Sequence, residues 1–182
     1  FARIARALAR SEAEAGILSA EEFEAVPPAV LRARIARHFP DLMDRLRIVA
    51  YVRPHAERLV ASHVELVKVG RFLGTLEEYF ERTLENRRFI YTPRFEAWRD
   101  AFGDDFVLRP MVPGALDGDD VVTDFLGRAL PGRALDLAAQ PRPNPTRPVG
   151  DVAVLRALQQ ALEGRPRRLR HRAGWALAEA LA

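Results

Sequence analysis

The chain has 182 residues, 48% of them hydrophobic, and no cysteine. It can bury a core of its own as one domain of ordinary size, while disulfide frameworks, thiolate metal sites and a cysteine nucleophile are excluded. The formal charge is only +3, yet the pI is about 9.9, because arginine almost wholly replaces lysine and Lys68 is the sole lysine; a GC-rich genome explains that bias without any binding function. No run approaches the roughly 18 consecutive apolar residues of a membrane span and no secretory leader opens the chain, so a cytoplasmic protein is expected. Phe1 in place of Met reads as the start of a trimmed or processed product.

In chain order, Ile4, Leu8 and several alanines at helical spacing predict an amphipathic helix over 1–14 that ends near Gly16. A short apolar run, Ile17-Leu18, precedes Ser19 and Glu22, which have the spacing of a capping box. A helix follows Pro27-Pro28, with Val30, Leu31, Ile35, Phe39, Leu42 and Met43 as its apolar side. It leads into a strand over 48–52, then Arg53-Pro54, then a helix with Ala56, Leu59, Val60, Val64 and Val67 facing the core and Gly70 as its stop.

Thr75 and Glu78 form a second capping box for a helix that would bury Leu76, Tyr79, Phe80 and Leu84. Phe95, Trp98 and Phe102 mark another helix closed by Gly103, and Phe106-Val107-Leu108 reads as a strand with Arg109-Pro110 at its exit. Asp119-Asp120 can cap a helix through Val121, Val122, Phe125 and Leu126. Proline and glycine then accumulate from Leu130 to Gly150, and the run from Gln140 to Pro148 predicts a loop. Asp151 caps a helix with Val152, Leu155, Leu158 and Leu162, stopped by Gly164; the tail begins as the basic run Arg165–Arg172 and ends as an alanine- and leucine-rich helix.

The most informative stretch is 47–70. Arg53 stands where an apolar strand hands over to a helix, and in open α/β sheets strand carboxyl ends and helix amino ends converge at ligand sites with backbone N–H groups facing an anion. A guanidinium there is suited to a phosphate, because it donates two parallel hydrogen bonds and stays charged at any relevant pH.

Four segments together resemble the bacterial sulfotransferases, which use 3′-phosphoadenosine 5′-phosphosulfate as co-substrate. They are Ile17-Leu18-Ser19-Ala20-Glu21; the run Ile48 to Gly70; Phe89-Ile90-Tyr91-Thr92-Pro93-Arg94-Phe95-Glu96-Ala97-Trp98 with Phe102-Gly103; and Leu108-Arg109-Pro110 through Asp119 to Leu126. Asn144-Pro145-Thr146 before the Asp151 helix is a further family-like feature. The resemblance implies a helix-rich, three-layer, P-loop-like α/β fold with a short, mostly parallel sheet. It also implies a single sulfotransferase-like domain over 1–182, incomplete at its N-terminus.

By the same resemblance Arg53 matches the arginine that binds the nucleotide's 3′-phosphate. The family's partner serine falls eight residues later, where this chain has Ala61; Ser62 comes one position on, about 100° further round a helix. Either Ser62 reaches the phosphate through a local adjustment or the contact is lost. Glu21 matches the glutamate of the family's Ser-x-Glu motif and is the candidate base for the acceptor hydroxyl, although a helix dipole also favours an acid in a first turn. His55, beside Arg53, and His63 are alternative bases.

The family's lysine-containing Gly and Ser/Thr loop for the 5′-phosphosulfate has no counterpart here, since Lys68 lies far from any such pattern. Two explanations stand: the loop lay before Phe1, or the protein is a relative that has lost the chemistry. The reading is sulfuryl transfer to a hydroxyl, on a carbohydrate by family analogy, with no metal, no nucleic-acid partner and no membrane span, and with this chain inactive alone. The alternatives are a non-catalytic relative of the same fold and a polyanion or nucleic-acid binding module built on the Arg165–Arg172 run.

Overall fold

A computed structural model describes residues 2–13, 15–133 and 147–181. In chain order the helices and strands are α1 (Ala2–Ala9), α2 (Pro28–His38), β1 (Ile48–Val52), α3 (His55–Lys68), α4 (Leu76–Glu85), α5 (Thr92–Phe102), β2 (Phe106–Pro110), α6 (Val121–Ala129), α7 (Val149–Ala161) and α8 (Arg167–Ala180). Short 3₁₀ turns at Glu21–Ala25, Pro40–Arg45, Gly103–Asp105 and Asp117–Asp119 punctuate them. The fold is helix-rich α/β, and among the described residues its sheet is one parallel pair, β1 with β2.

The described residues form two compact units, each made of two stretches of chain. The first holds residues 1–52 and 90–136, the second 53–89 and 137–182. In the first unit β1 and β2 run in register from Ile48 opposite Phe106 to Val52 opposite Pro110. Parallel strands cannot be joined by a hairpin, and here 53 to 105 intervene. Pro110 has no N–H to give the ladder; Met111 instead donates its N–H to the Val52 carbonyl at 2.8 Å and carries the pairing one step further.

The core of this unit is aromatic. Leu31 and Ile35 of α2 and the following Phe39 pack with Trp98 and Phe102 of α5 and Phe106 of β2. Trp98 stacks on both Phe102 and Phe106, with centroids 5.6 and 5.9 Å away; pairs at such spacing contribute about 0.5–1.5 kcal/mol beyond their buried area. Gly103 then ends α5 at φ 56°, a conformation that disfavours any side chain.

In the second unit Val67 of α3, Leu155 of α7 and Ala178 of α8 make a small core. Full burial of Val67 and Leu155 stabilises by about 1.5–3 kcal/mol each. The helices approach closely at glycine: a Cβ on Gly174 of α8 would lie 1.8 Å from the Lys68 carbonyl oxygen at the end of α3. Gln159 of α7, with no exposed surface, donates its amide to the Lys68 and Arg170 carbonyls at 3.0 and 2.9 Å. It thereby satisfies an acceptor that the end of α3 leaves open and ties α7 to the first turn of α8.

Several local expectations need correction. The first helix stops at Ala9, the apolar pair Ile17-Leu18 lies outside any helix or strand and is about half exposed, and the turn that follows has Ala20 at its N-cap with no side-chain cap, so Ser19 and Glu22 form no box. Leu42 and Met43 lie in a separate 3₁₀ turn rather than on α2. On α4 the capping box forms as expected, Thr75 Oγ1 accepting from Glu78 N–H and Glu78 accepting from Thr75 N–H at 2.7 Å. The buried face of α4 is nevertheless Tyr79 and Thr83, with Phe80 and Leu84 exposed, because Tyr79 packs against the rings of His63 and Phe72. On α3, His63 is buried and Val60 exposed for the same reason.

Helix α7 begins at Val149 behind Pro148, so Asp151 lies in its first turn rather than at its cap. Helix α8 takes in most of the basic run. The proline-rich run from Gln140 and the Asn144-Pro145-Thr146 feature lie, up to residue 146, outside the described residues.

Candidate functional site

Arg53 follows the last residue of β1 and precedes Pro54, the N-cap of α3. Proline suits this boundary: it has no N–H to leave unsatisfied, and it holds the residue before it extended. Pro54 offers no side-chain cap, and the first helical hydrogen bond runs from Arg58 N–H to the Pro54 carbonyl at 2.9 Å. The N–H groups of the first turn therefore have no acceptor inside the helix. Arg53 is exposed, and among the described residues its guanidinium enters no hydrogen bond or ion pair. One fixed positive charge thus stands beside the positive end of a helix, with Glu57 of that first turn the nearest acid in sequence.

His55 and Ser62 lie seven residues apart on α3, close to two turns and about 10 Å along the axis, so they share a face; Ala61 points elsewhere. Arg53 and His55 are brought together at the helix start, with Ser62 two turns on and half-buried. His55 Nε2 lies 2.8 Å from the Phe89 carbonyl oxygen, with the rings edge to face at 5.9 Å. A carbonyl only accepts, so Nε2 carries the proton and any base chemistry at His55 is confined to Nδ1. His63 is a packed histidine: 6% exposed, with Nε2 donating to the Gly74 carbonyl at 3.1 Å and its ring between Phe72 and Tyr79.

Glu21 belongs to the first unit, whereas Arg53, His55 and Ser62 belong to the second. It is exposed in the first turn of a 3₁₀ segment and has no partner among the described residues. Lys68 is taken: 6% exposed, its ammonium is 2.5 Å from Glu65 and 3.7 Å from the Trp175 ring centroid.

The densest polar cluster lies in the first unit and centres on a residue that carries no role in the sequence reading. Asp124 of α6 has no exposed surface. Arg109 of β2 donates to both its oxygens, through Nε at 3.1 and 3.2 Å and through NH2 at 3.0 Å. Arg128, one turn further along α6, donates Nε at 2.9 and 3.0 Å, and the Tyr51 hydroxyl of β1 donates at 3.1 Å. Arg109 also bonds the Ala115 carbonyl. Tyr51 and Arg109 can meet one carboxylate because they are register partners on β1 and β2 and so project from the same face.

The electrostatic consequences follow from that geometry. Hydrogen bonds from Arg128, then Arg109 and Tyr51, outweigh burial and hold the Asp124 carboxyl well below the usual carboxylate range. Burial first, then the bond and the negative charge of Asp124, push the Tyr51 phenol up to about 12. The signal available in the sequence was Asp124 and Arg128 at i and i+4 on a helix whose neighbouring positions are apolar.

A cavity of about 680 Å³ in the first unit is lined by Ala33, Met43, Leu46 and Phe102 with Asp44, Asp100 and Asp105 at its wall, and it includes none of the candidate site residues. Among the described residues no cluster of histidine and carboxylate side chains is arranged to hold a metal ion. Comparison with family models, with curated proteins and with solved structures finds no match for this chain.

Proposed function

We propose that this protein is a sulfotransferase-like domain that binds 3′-phosphoadenosine 5′-phosphosulfate through the 3′-phosphate and serves transfer of the sulfuryl group to a hydroxyl, on a carbohydrate by family analogy. The proposed fold is the three-layer, P-loop-like arrangement of that family. One observation carries the reading: Arg53, exposed and unpaired among the described residues, stands at the exit of a parallel strand and at the uncapped start of α3. A phosphate there meets a bidentate donor and open backbone N–H groups together.

Ser62 is the second contact in this reading, on the helix face that starts at His55. In the reaction the acceptor oxygen bonds to sulfur as the bond from sulfur to the 5′-phosphate oxygen breaks, releasing adenosine 3′,5′-bisphosphate, and a base takes the hydroxyl proton. The family resemblance alone names Glu21 as the candidate base; Nε2 of His55, the alternative, is committed to Phe89. The phosphosulfate end needs a lysine-bearing loop that residues 1–182 do not contain, and Lys68 is buried against Glu65 and Trp175. These residues therefore account for the nucleotide's 3′ end.

Calorimetric titration with adenosine 3′,5′-bisphosphate tests the reading. The wild type should bind, and Arg53→Ala should weaken binding by about 1.5–3 kcal/mol, the scale of a charged hydrogen bond. Adenosine 5′-monophosphate, which lacks the 3′-phosphate, should bind both forms equally weakly. Equal affinity of both forms for the bisphosphate removes Arg53 from the site, and no binding by the wild type ends the reading.

A further inference from the structure

The run Arg165-Pro166-Arg167-Arg168-Leu169-Arg170-His171-Arg172 has no aromatic residue among its charges, which in sequence argues against recognition of nucleic acid. Helical geometry supplies one. On α8, at 3.6 residues per turn, Arg168, Arg172 and Trp175 fall within about 60° of one another. The buried Gly174 and Ala178 lie to one side of this stripe, about 100° and 60° round the helix from Trp175, whereas Arg168 and Arg172 are exposed and Trp175 keeps 38% of its surface open.

This face is electrostatically unsatisfied. Among the described residues the guanidiniums of Arg165, Arg167, Arg168 and Arg172 enter no ion pair or hydrogen bond, while Arg170 turns inward toward Gln159. The first turn of α8 contains no acid, so Arg167 and Arg168 repel the positive end of their own helix, and Arg168 and Arg172 repel each other at i and i+4. Trp175 is also held in place: the buried Lys68 ammonium, itself paired with Glu65, sits 3.7 Å from its ring centroid. A fixed, partly open indole beside two unpaired guanidiniums is the combination that binds stacked bases and their phosphates.

We propose that this face of α8 binds a single-stranded nucleic acid, with phosphates on Arg168 and Arg172, Arg165 and Arg167 flanking, and a base stacked on Trp175. A duplex keeps its base faces covered and has nothing to place on the indole. An anionic membrane needs a continuous apolar face, but exposed Leu169 and Trp175 lie about 120° apart with Arg172 between them. Glu179, one turn beyond Trp175, ends the positive stripe and limits the contact to a short segment. This inference is independent of the Arg53 reading and revises the expectation that no nucleic acid is bound.

The test is anisotropy of a fluorescein-labelled oligothymidylate titrated with the whole chain at several salt concentrations. Binding should weaken with salt, and the double variant Arg168→Ala/Arg172→Ala should flatten the log–log slope by about 1.4, two contacts at about 0.7 each. Trp175→Leu should weaken binding about tenfold with the slope unchanged, and Trp175→Phe, which keeps a ring, should retain most of the affinity. Binding should quench tryptophan emission in the wild type but not in Trp175→Phe, since Trp98 is buried. No binding, equal binding of a duplex with Trp175→Leu silent, or capture by phosphatidylserine vesicles in place of the oligonucleotide would each overturn the proposal.

Discussion

Arg109 and Asp124, fifteen residues apart in the chain, are joined by a fork in which one guanidinium reaches both oxygens of a carboxylate that has no exposed surface, at 3.0 to 3.2 Å. The fork ties the end of β2 to α6, and Tyr51 adds the end of β1 to the same carboxylate. A buried charge is tolerated only when its lone pairs are filled, and here two arginines and a phenol fill them. The cluster therefore sets the spacing of three elements by one shared acceptor.

Asp124→Asn keeps the shape and removes the charge. Breaking a buried pair from one side costs about 3–5 kcal/mol, and because Arg109 and Arg128 are 20% and 28% exposed, the lower end of that range is expected in urea unfolding at neutral pH. The carboxyl is depressed in the fold, so its contribution is present above the ordinary carboxylate pKa, near 4, and is lost as pH falls below it. Stability of the wild type should decline more steeply in acid than that of Asp124→Asn. Parallel acid limbs would show that Asp124 is not linked to folding.

Tyr51 is displaced the other way, to about 12. A raised pKa means that the neutral phenol is favoured by the fold, so its contribution is whole below the unfolded value near 10 and is lost as pH rises through 12. Absorbance titration of phenolate should show a late phase missing from Tyr51→Phe, and that variant should lose about 1 kcal/mol at neutral pH with the bond to Asp124. A phenol titrating near 10 at this position would contradict the buried contact.

Gly174→Ala tests the crossing of α3 and α8. Alanine is the better helix former, by about 1 kcal/mol over glycine, yet its Cβ would fall 1.8 Å from the Lys68 carbonyl, a backbone atom that cannot swing aside. The sign should be destabilising, by about 1–3 kcal/mol or more as for other overpacked contacts. A stabilised variant in thermal unfolding would show that the two helices do not approach so closely.

Much of the local structure was legible because it is written in short-range chemistry. The apolar run 48–52 and the proline that follows Arg53 set the end of β1 and the start of α3; the Thr75–Glu78 pair and Asp120 cap α4 and α6 as their spacing predicts. Gly103 ends α5 at a positive φ that glycine adopts freely. Arg53, the candidate site's central residue, was placed at a strand exit by the same local logic.

What escaped the sequence depends on partners far along the chain. Phe80 was expected inside and is exposed, while His63, more than a dozen residues away from Tyr79, packs against it and turns α4 to bury Tyr79 and Thr83. Asp124 looks like an ordinary helix acid until β1 and β2 bring Tyr51 and Arg109 into register above it, and the basic run gains an aromatic neighbour only when α8 winds Trp175 beneath Arg168 and Arg172. Caps, turns and strand ends cost or gain energy within a few residues, so the amino-acid order by itself determined them. Which face of a helix is buried, and which charge finds its counter-charge, depends on burial and Coulomb energies between distant segments, and only the tertiary structure decided those.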